Sequence, residues 1–419
     1  MSKDEERLLA GLRKTVERVL RLPYYQQSLG RVGVKQASDI RTLGDFQRLP
    51  LTSKEDLRLN YPFGLFAEPP ERIVRLHASS GTTGKPTVVG YTENDIKLWS
   101  GIVAESLARA GIGKGDVIQV AYGYGLFTGG MGLHYGSEKL GAMTVPISGG
   151  NTRRQLMLMR DFGTTVLACT PSYALYLGES LGEAGISRQE LRLKKGVLGA
   201  EPWTEGMREE IEARLGIDAY DIYGLSEIMG PGVAMECPQH RGLHIDGHFY
   251  PEILDERGEP LPEGVPGELV FTSIDKEAFP VLRYRTKDLT ALHHGDCGCG
   301  HSGWTMERVT ARVDDMLIIR GVNVFPSQIE EGILAVDGLE PHYLLIVERA
   351  GTLDQLEVQV EVNAANFIDE VRELETLKKR VQQRIEEIIG ISIRVRLVEP
   401  KSIPRSEGKA KRVVDKRKG

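Results

Sequence analysis

Residues 77 to 87 read HASSGTTGKPT, and this stretch constrains the fold more than any other. From Ser79 onward, five hydroxyl side chains, two glycines and one lysine occupy nine residues. Small residues let backbone N–H groups converge on an anion, the hydroxyls add donors, and Lys85 adds charge. The spacing is not that of the nucleotide loop of kinases and GTPases: only two residues separate Gly81 from Gly84-Lys85, and Pro86 stands where a magnesium-binding hydroxyl would be needed. RIVRLH before the loop and TVVGYT after it both favour strand, so the segment reads as strand–loop–strand rather than strand–loop–helix. Composition alone would equally describe a surface turn; the lysine beside paired glycines favours an anion cradle.

At 419 residues the chain exceeds one compact domain, and two are expected. Lysine plus arginine less aspartate plus glutamate is 53 − 59 = −6, which gives no global reason to expect nucleic acid or an anionic membrane as partner. Neither a basic–apolar leader nor an apolar run of transmembrane length is visible, so a cytoplasmic location is expected. The four cysteines do not make a disulfide scaffold, and Cys297-Gly-Cys299 is too tight for a staple. Metal binding and inert burial both stay open.

Leu8, Leu9, Leu12, Val16, Val19 and Leu20 share one helical face, and Pro23 follows where that helix should have ended. From about Arg72 short apolar runs alternate with glycine-rich loops and helical stretches: Val117 to Ala121, Thr165 to Cys169, Gly196 to Leu198 and Ala219 to Ile222. This is the pattern of an α/β domain. ARVDD, at Ala311 to Asp315, reads as a linker. Beyond it HYLLIVER and LEVQVEV predict two strands, Val371 to Ile388 an amphipathic helix, and ISIRVRLVE a third strand. The expected layout is a large α/β domain over residues 1–313 and a small α+β domain over residues 314–419, with ligand between them.

SSGTTGKPT resembles the phosphate loop of the adenylate-forming superfamily, which includes acyl-CoA synthetases, peptide-synthetase adenylation domains and luciferases. YGLSE at Tyr223 to Glu227, YRTKD at Tyr284 to Asp288, ARVDD, and PRSEGKAKR at Pro404 to Arg412 resemble its other signatures, in the family's order. The resemblance implies a large domain of mixed sheets and helices with a small domain rotating about a hinge at Asp314. It implies that ATP and a carboxylate form an acyl-adenylate, and that coenzyme A then displaces AMP. Ser79, Ser80, Gly81, Thr82, Thr83, Gly84 and Lys85 would wrap the β- and γ-phosphates; Glu227 would hold Mg2+, as hard-oxygen ligands do. Tyr223, with Gly224 after it, would lie against adenine, which Gly199, Ala200, Glu201 and Pro202 would border. Asp288 would accept from the ribose, Arg312 would sit near the phosphates, and Lys409 would bridge carboxylate and α-phosphate. Taken alone, the charges around Lys409 would read as a basic tail, and Arg312 with its acids as a surface ion-pair cluster.

AYGYGLFTGG, GAEPW, YGLSEIMGPGV and IIRGVNVFPSQIEE bring the chain closer to the phenylacetate-CoA ligases. That resemblance implies an arylacetic acid substrate, with Tyr122, Tyr124 and Phe127 offering flat apolar surface for its ring. It also implies a structural zinc on Cys237, Cys297, Cys299 and His244, with His240 or His301 as other candidates for the fourth ligand. A homodimer is the assembly common among such ligases. Two other acceptors remain open within the superfamily, a carrier-protein thiol or a hydroxyl-bearing deazaflavin cofactor; the lack of a fused carrier leans towards free coenzyme A.

Overall fold

A computed structural model describes residues 3–79, 86–309, 311–350, 353–364 and 371–418. The helix Lys3–Val19 forms as its periodicity predicts and buries Leu9, Leu12, Val16 and Val19. Pro23 opens the next helix, Pro23–Arg31, where its missing N–H leaves no bond unmade. Two short helices follow, Leu43–Gln47 and Lys54–Leu59, each started by a capping box, Thr42 with Asp45 and Ser53 with Asp56.

The strands expected around the hydroxyl-rich loop are present. Arg75–Ser79 pairs antiparallel with Thr87–Tyr91, and Ser79 stands opposite Thr87. Ser80, Gly81, Thr82, Thr83, Gly84 and Lys85 lie outside the described residues.

The centre of the large part is a nine-stranded mixed sheet. Met143–Val145, Val117–Val120, Val166–Cys169, Lys195–Gly199 and Asp218–Tyr223 run parallel in that spatial order. The sheet continues antiparallel through Ala234–Glu236, Leu243–Ile245, Ser302–Met306 and Leu292–Asp296. Side chains alternate across a strand, so one strand feeds two cores. Val166 and Ala168 enter the core shared with the N-terminal helices, whereas Leu167 and Cys169 enter the core under the helices Thr152–Asp161, Pro171–Glu183 and Glu205–Leu215. With both faces covered, the parallel strands can be apolar throughout, and Val166–Cys169 is buried at all four residues. A second, antiparallel sheet holds Phe249–Leu254, Gly267–Ser273 and Tyr284–Thr290, and ends in the two-residue strand Ala311–Arg312. The linker segment therefore starts inside the large part's second sheet, Arg312 standing opposite Asp288.

A third core, from Leu317 to Val395, belongs to the C-terminal part. Its sheet has the order Arg394–Val398, Leu353–Val362, Leu339–Ala350, Val413–Asp415. The three expected strands and the helix Val371–Ile389 are present; the fourth strand, parallel to Leu339–Ala350, comes from the basic tail. The helices Pro326–Leu334 and Val371–Ile389 cross at Gly332, where a Cβ would lie 2.7 Å from the Ile385 side chain. Among the described residues, no helix is long and apolar enough to cross a membrane.

Candidate active site

The tail that follows Arg394–Val398 folds back over the C-terminal ends of the parallel strands, the place where open α/β sheets bind ligands. Tail and sheet enclose a cleft of about 510 Å³ whose walls include Ala78, Ala121, Leu126, Tyr122 and Phe127, with Thr170, Glu407 and Lys409 as polar lining. Tyr122 and Phe127 thus present their rings to this cleft. Tyr124 is absent from this lining; its hydroxyl meets His134 Nδ1 at 3.3 Å.

Lys409 reaches into this cleft with Nζ 5.6 Å from the centre of the Phe127 ring. Its side chain is wetted by the open cleft yet ringed by protein, and this desolvation lowers its pKa; Arg312 pushes the same way, while Glu201, Glu227 and Asp288 oppose. Those four charged groups come from four separated stretches of sequence, and the fold gathers them around one ammonium. Glu227 is buried and has Lys54 Nζ at 3.7 Å. Lys54 was not among the residues the motifs single out.

Tyr223 and Asp288 meet directly: the tyrosine hydroxyl donates to Asp288 Oδ2 at 2.6 Å, and Arg312 donates to Oδ1 at 2.6 Å. Burial pushes the Asp288 carboxyl up against the opposing pull of Arg312. The Tyr223 ring is tilted against Phe271, with centroids 6.2 Å apart. Gly224 is required by close approach, since a Cβ there would lie 2.7 Å from Gly230 Cα. Ala200 takes a left-handed φ of 72°, which costs a non-glycine residue about 1–2 kcal/mol, and this bend delivers Glu201 to the tail. Asp314 sits in the single turn Val313–Asp315 between the two parts.

At the other end of the nine-stranded sheet, the ligand atoms of Cys237, His244, Cys297 and Cys299 all lie within 4.8 Å of one another. Cys237 Sγ is 3.8 Å from Cys297 Sγ, and His244 Nε2 is 3.1 Å from Cys297 Sγ and 3.4 Å from Cys299 Sγ. Tetrahedral zinc with bonds of about 2.3 Å to sulfur places sulfur ligands about 3.8 Å apart, as Cys237 and Cys297 stand; Cys297 and Cys299, 2.9 Å apart, would spread to hold the ion, and the donor types suit it. Burial pulls His244 down to about 4, which leaves a neutral imidazole. His240 is spoken for elsewhere, by Arg208 at 2.6 Å and Asp218 at 3.1 Å. His301 packs edge-on against His244, with ring centres 4.7 Å apart.

Two family models match the chain: the AMP-binding enzyme over residues 25–274 and the AMP-binding enzyme C-terminal domain over residues 321–417. The phenylacetate-coenzyme A ligase of Thermus thermophilus is 51% identical, covering 99% of this chain and 96% of that protein. The phenylacetate-coenzyme A ligase of Escherichia coli is 52% identical, covering 98% and 94%. The chain belongs to the phenylacetate-coenzyme A ligase family of AMP-binding enzymes. Among solved structures, 2-hydroxyisobutyryl-CoA ligase in the postadenylation state with 2-HIB-AMP is 27% identical and superposes with a TM-score of 0.93, covering 99% of this chain and 90% of that one. The same ligase in its thioesterification state superposes with a TM-score of 0.72. The arrangement of the two parts here is therefore the one seen after adenylation in that enzyme.

The two parts of this ligase family member grip each other through side chains far apart in sequence. Glu179 pairs with Arg214 at 3.1 Å and Arg405 at 2.9 Å, and with His342; Arg405 also pairs with the fully buried Glu361 at 2.7 Å. Thr204 donates to Glu330 at 2.8 Å. Thr170 and Glu201 bond the backbone on either side of Lys409. A threonine followed by proline, at Thr170-Pro171, is a legible helix start. Its tertiary partner has no local signal.

Proposed function

We propose that the protein activates an arylacetic acid, phenylacetate or a close analogue, with Mg-ATP to an acyl-adenylate and then transfers the acyl group to coenzyme A. The carboxylate oxygen attacks the α-phosphorus and pyrophosphate leaves; the thiol sulfur then attacks the acyl carbon and AMP leaves. The observation that carries this reading is Lys409 at the mouth of an apolar cleft walled by Tyr122 and Phe127. A carboxylate nearing a phosphate meets repulsion, which one ammonium between them relieves while donating hydrogen bonds to both.

The remaining roles follow from chemistry and resemblance. Asp288 keeps lone pairs for the ribose hydroxyls while Tyr223 and Arg312 fix its orientation, and Tyr223 with residues 199–202 frames the adenine. Ser79 to Lys85 cradle the phosphates. Magnesium, when bound at Glu227, supplies charge neutralisation for the leaving pyrophosphate. Zinc, held by Cys237, His244, Cys297 and Cys299, is structural, because four protein ligands leave no open position. The chain divides at 313/314, the small domain rotates about Asp314, and the enzyme works in the cytoplasm.

Pyrophosphate release across phenylacetate, hydroxyphenylacetate, indoleacetate, benzoate and fatty acids, with and without coenzyme A, tests the reading. Arylacetates should give acyl-AMP and pyrophosphate, and coenzyme A should convert the former to thioester and AMP. Formation of ADP and an acyl-phosphate would reject it.

A further inference from the structure

Among the described residues, the backbone on both sides of Lys409 is held by hydrogen bonds, while its ammonium faces the Phe127 ring. The carbonyl just before it, of Gly408, accepts the Thr170 hydroxyl at 2.9 Å. The N–H just after it, of Ala410, donates to Glu201 Oε2 at 2.9 Å. Thr170 and Glu201 follow the adjacent parallel strands Val166–Cys169 and Lys195–Gly199, so both lie at the C-terminal end of the central sheet. Each is anchored on the sheet side as well. Glu201 Oε1 accepts the Ser172 N–H at 2.7 Å, one of the donors that a helix start leaves unpaired, and Thr170 Oγ1 accepts the Tyr173 N–H at 3.3 Å. Thr170 has only one hydroxyl hydrogen, and it goes to Gly408.

We propose that Thr170 and Glu201 are positioning residues that clamp the backbone on both sides of Lys409 for acyl-adenylate formation and let go for thioester formation. This rests on Lys409 being the adenylating lysine. Holding both flanking peptide groups fixes where the Lys409 side chain starts, and its ammonium makes no hydrogen bond among the described residues. Position 201 needs a carboxylate, because two N–H donors converge on it and an amide offers one acceptor oxygen. Both bonds join the AMP-binding region to the C-terminal region, so turning the small part breaks them together.

The test measures two half-reactions on the full chain: pyrophosphate release from Mg-ATP with phenylacetate, and phenylacetyl-CoA formation from supplied phenylacetyl-AMP. Glu201→Gln should slow the first by about 10-fold to about 100-fold in kcat, the size of a lost charge-assisted hydrogen bond, and leave the second within about 3-fold of wild type. Thr170→Ser keeps the hydroxyl and should stay near wild type, whereas Thr170→Ala should follow Glu201→Gln. Lys409→Ala is the reference. If it blocks adenylation while Glu201→Gln slows neither half-reaction or both alike, the clamp is overturned and the role of Lys409 stands. If Lys409→Ala leaves adenylation intact, the reading beneath the clamp falls and takes it along. Should Glu201→Gln not melt cooperatively, the Thr170 pair decides: equal behaviour of its serine and alanine variants overturns the clamp.

Discussion

The Cys/His corner and the Lys409 loop both join stretches of chain far apart in sequence, and they do so with opposite chemistry. At the corner, four ligand atoms from neighbouring strands of one sheet end converge within 4.8 Å. At the loop, each tie is a hydrogen bond or ion pair with one partner in each part: Thr170 with Gly408, Glu201 with Ala410, Arg405 with Glu179. Metal–thiolate bonds hold a local shape as firmly as covalent links do. A single hydrogen bond contributes only about 0.5–1.5 kcal/mol net, and water takes its place once it opens. Under the proposed function, zinc would keep the corner shut and the turning of the small part would open the loop.

Removing the group at the centre of the loop should have the largest effect. Lys409→Ala is expected to lower acyl-AMP formation by about 10²–10³-fold, the usual loss when a preorganised donor to developing charge is deleted, while thioester formation from supplied acyl-AMP is largely kept. Rapid-quench measurement of each half-reaction decides, and a comparable loss in both would mean that the loop does not open between steps. Next, Asp314→Pro stiffens the turn Val313–Asp315 and should slow thioester formation about 10-fold with adenylation less affected. Equal slowing of the two steps would remove the hinge from the comparison.

The corner should respond in stability rather than in rate. Cys299→Ser should take zinc from one per chain to well below one by elemental analysis and lower the melting temperature, leaving the ratio of the two half-reactions unchanged. An active wild-type chain without zinc, with freely titratable thiols at 237, 297 and 299, would make the corner ordinary packing. The smallest expected effect concerns a third tie. Lys276 is fully buried, donates to Ile228 O at 3.0 Å beside Glu227, and packs against the Tyr91 ring. Burial pulls its pKa from 10.5 to about 8. Between those values the unfolded chain binds the proton more tightly than the folded one, so the contribution of Lys276 to stability rises with pH through that window. Lys276→Met should flatten the rise, as read by denaturant melts from pH 8 to 10.

What could be read beforehand was whatever local pattern encodes. The strands around Ser79, the parallel strands such as Val166–Cys169 and the helix Val371–Ile389 follow from runs and periodicity. The family resemblance pointed to Cys237, Cys297 and Cys299 with one of three histidines, and the fold brings His244 to the three thiols. Tyr124 was harder: three aromatic residues close in sequence look alike, and only the fold turns Tyr122 and Phe127 to the cleft and Tyr124 to His134. The strand Val413–Asp415 was hidden by its charged flanks, and its pairing is with a strand almost 70 residues earlier. Glu201 was read only for its backbone; that its carboxylate reaches Ala410 depends on a contact over 209 positions.

The same terminal strand has a mechanical consequence. Val413 stands beside Leu345 in parallel register, and Leu345 N–H already bonds the Arg412 carbonyl at 2.8 Å. Lys409 lies four residues upstream, so the ammonium is carried like a tool on a short arm bolted to the small-domain sheet. Each added or deleted residue in that arm moves the tip by up to about 3.5 Å, more than any hydrogen bond tolerates. Between positions 409 and 413 the number of residues is therefore a dimension on which the role proposed for Lys409 depends as much as on the lysine itself.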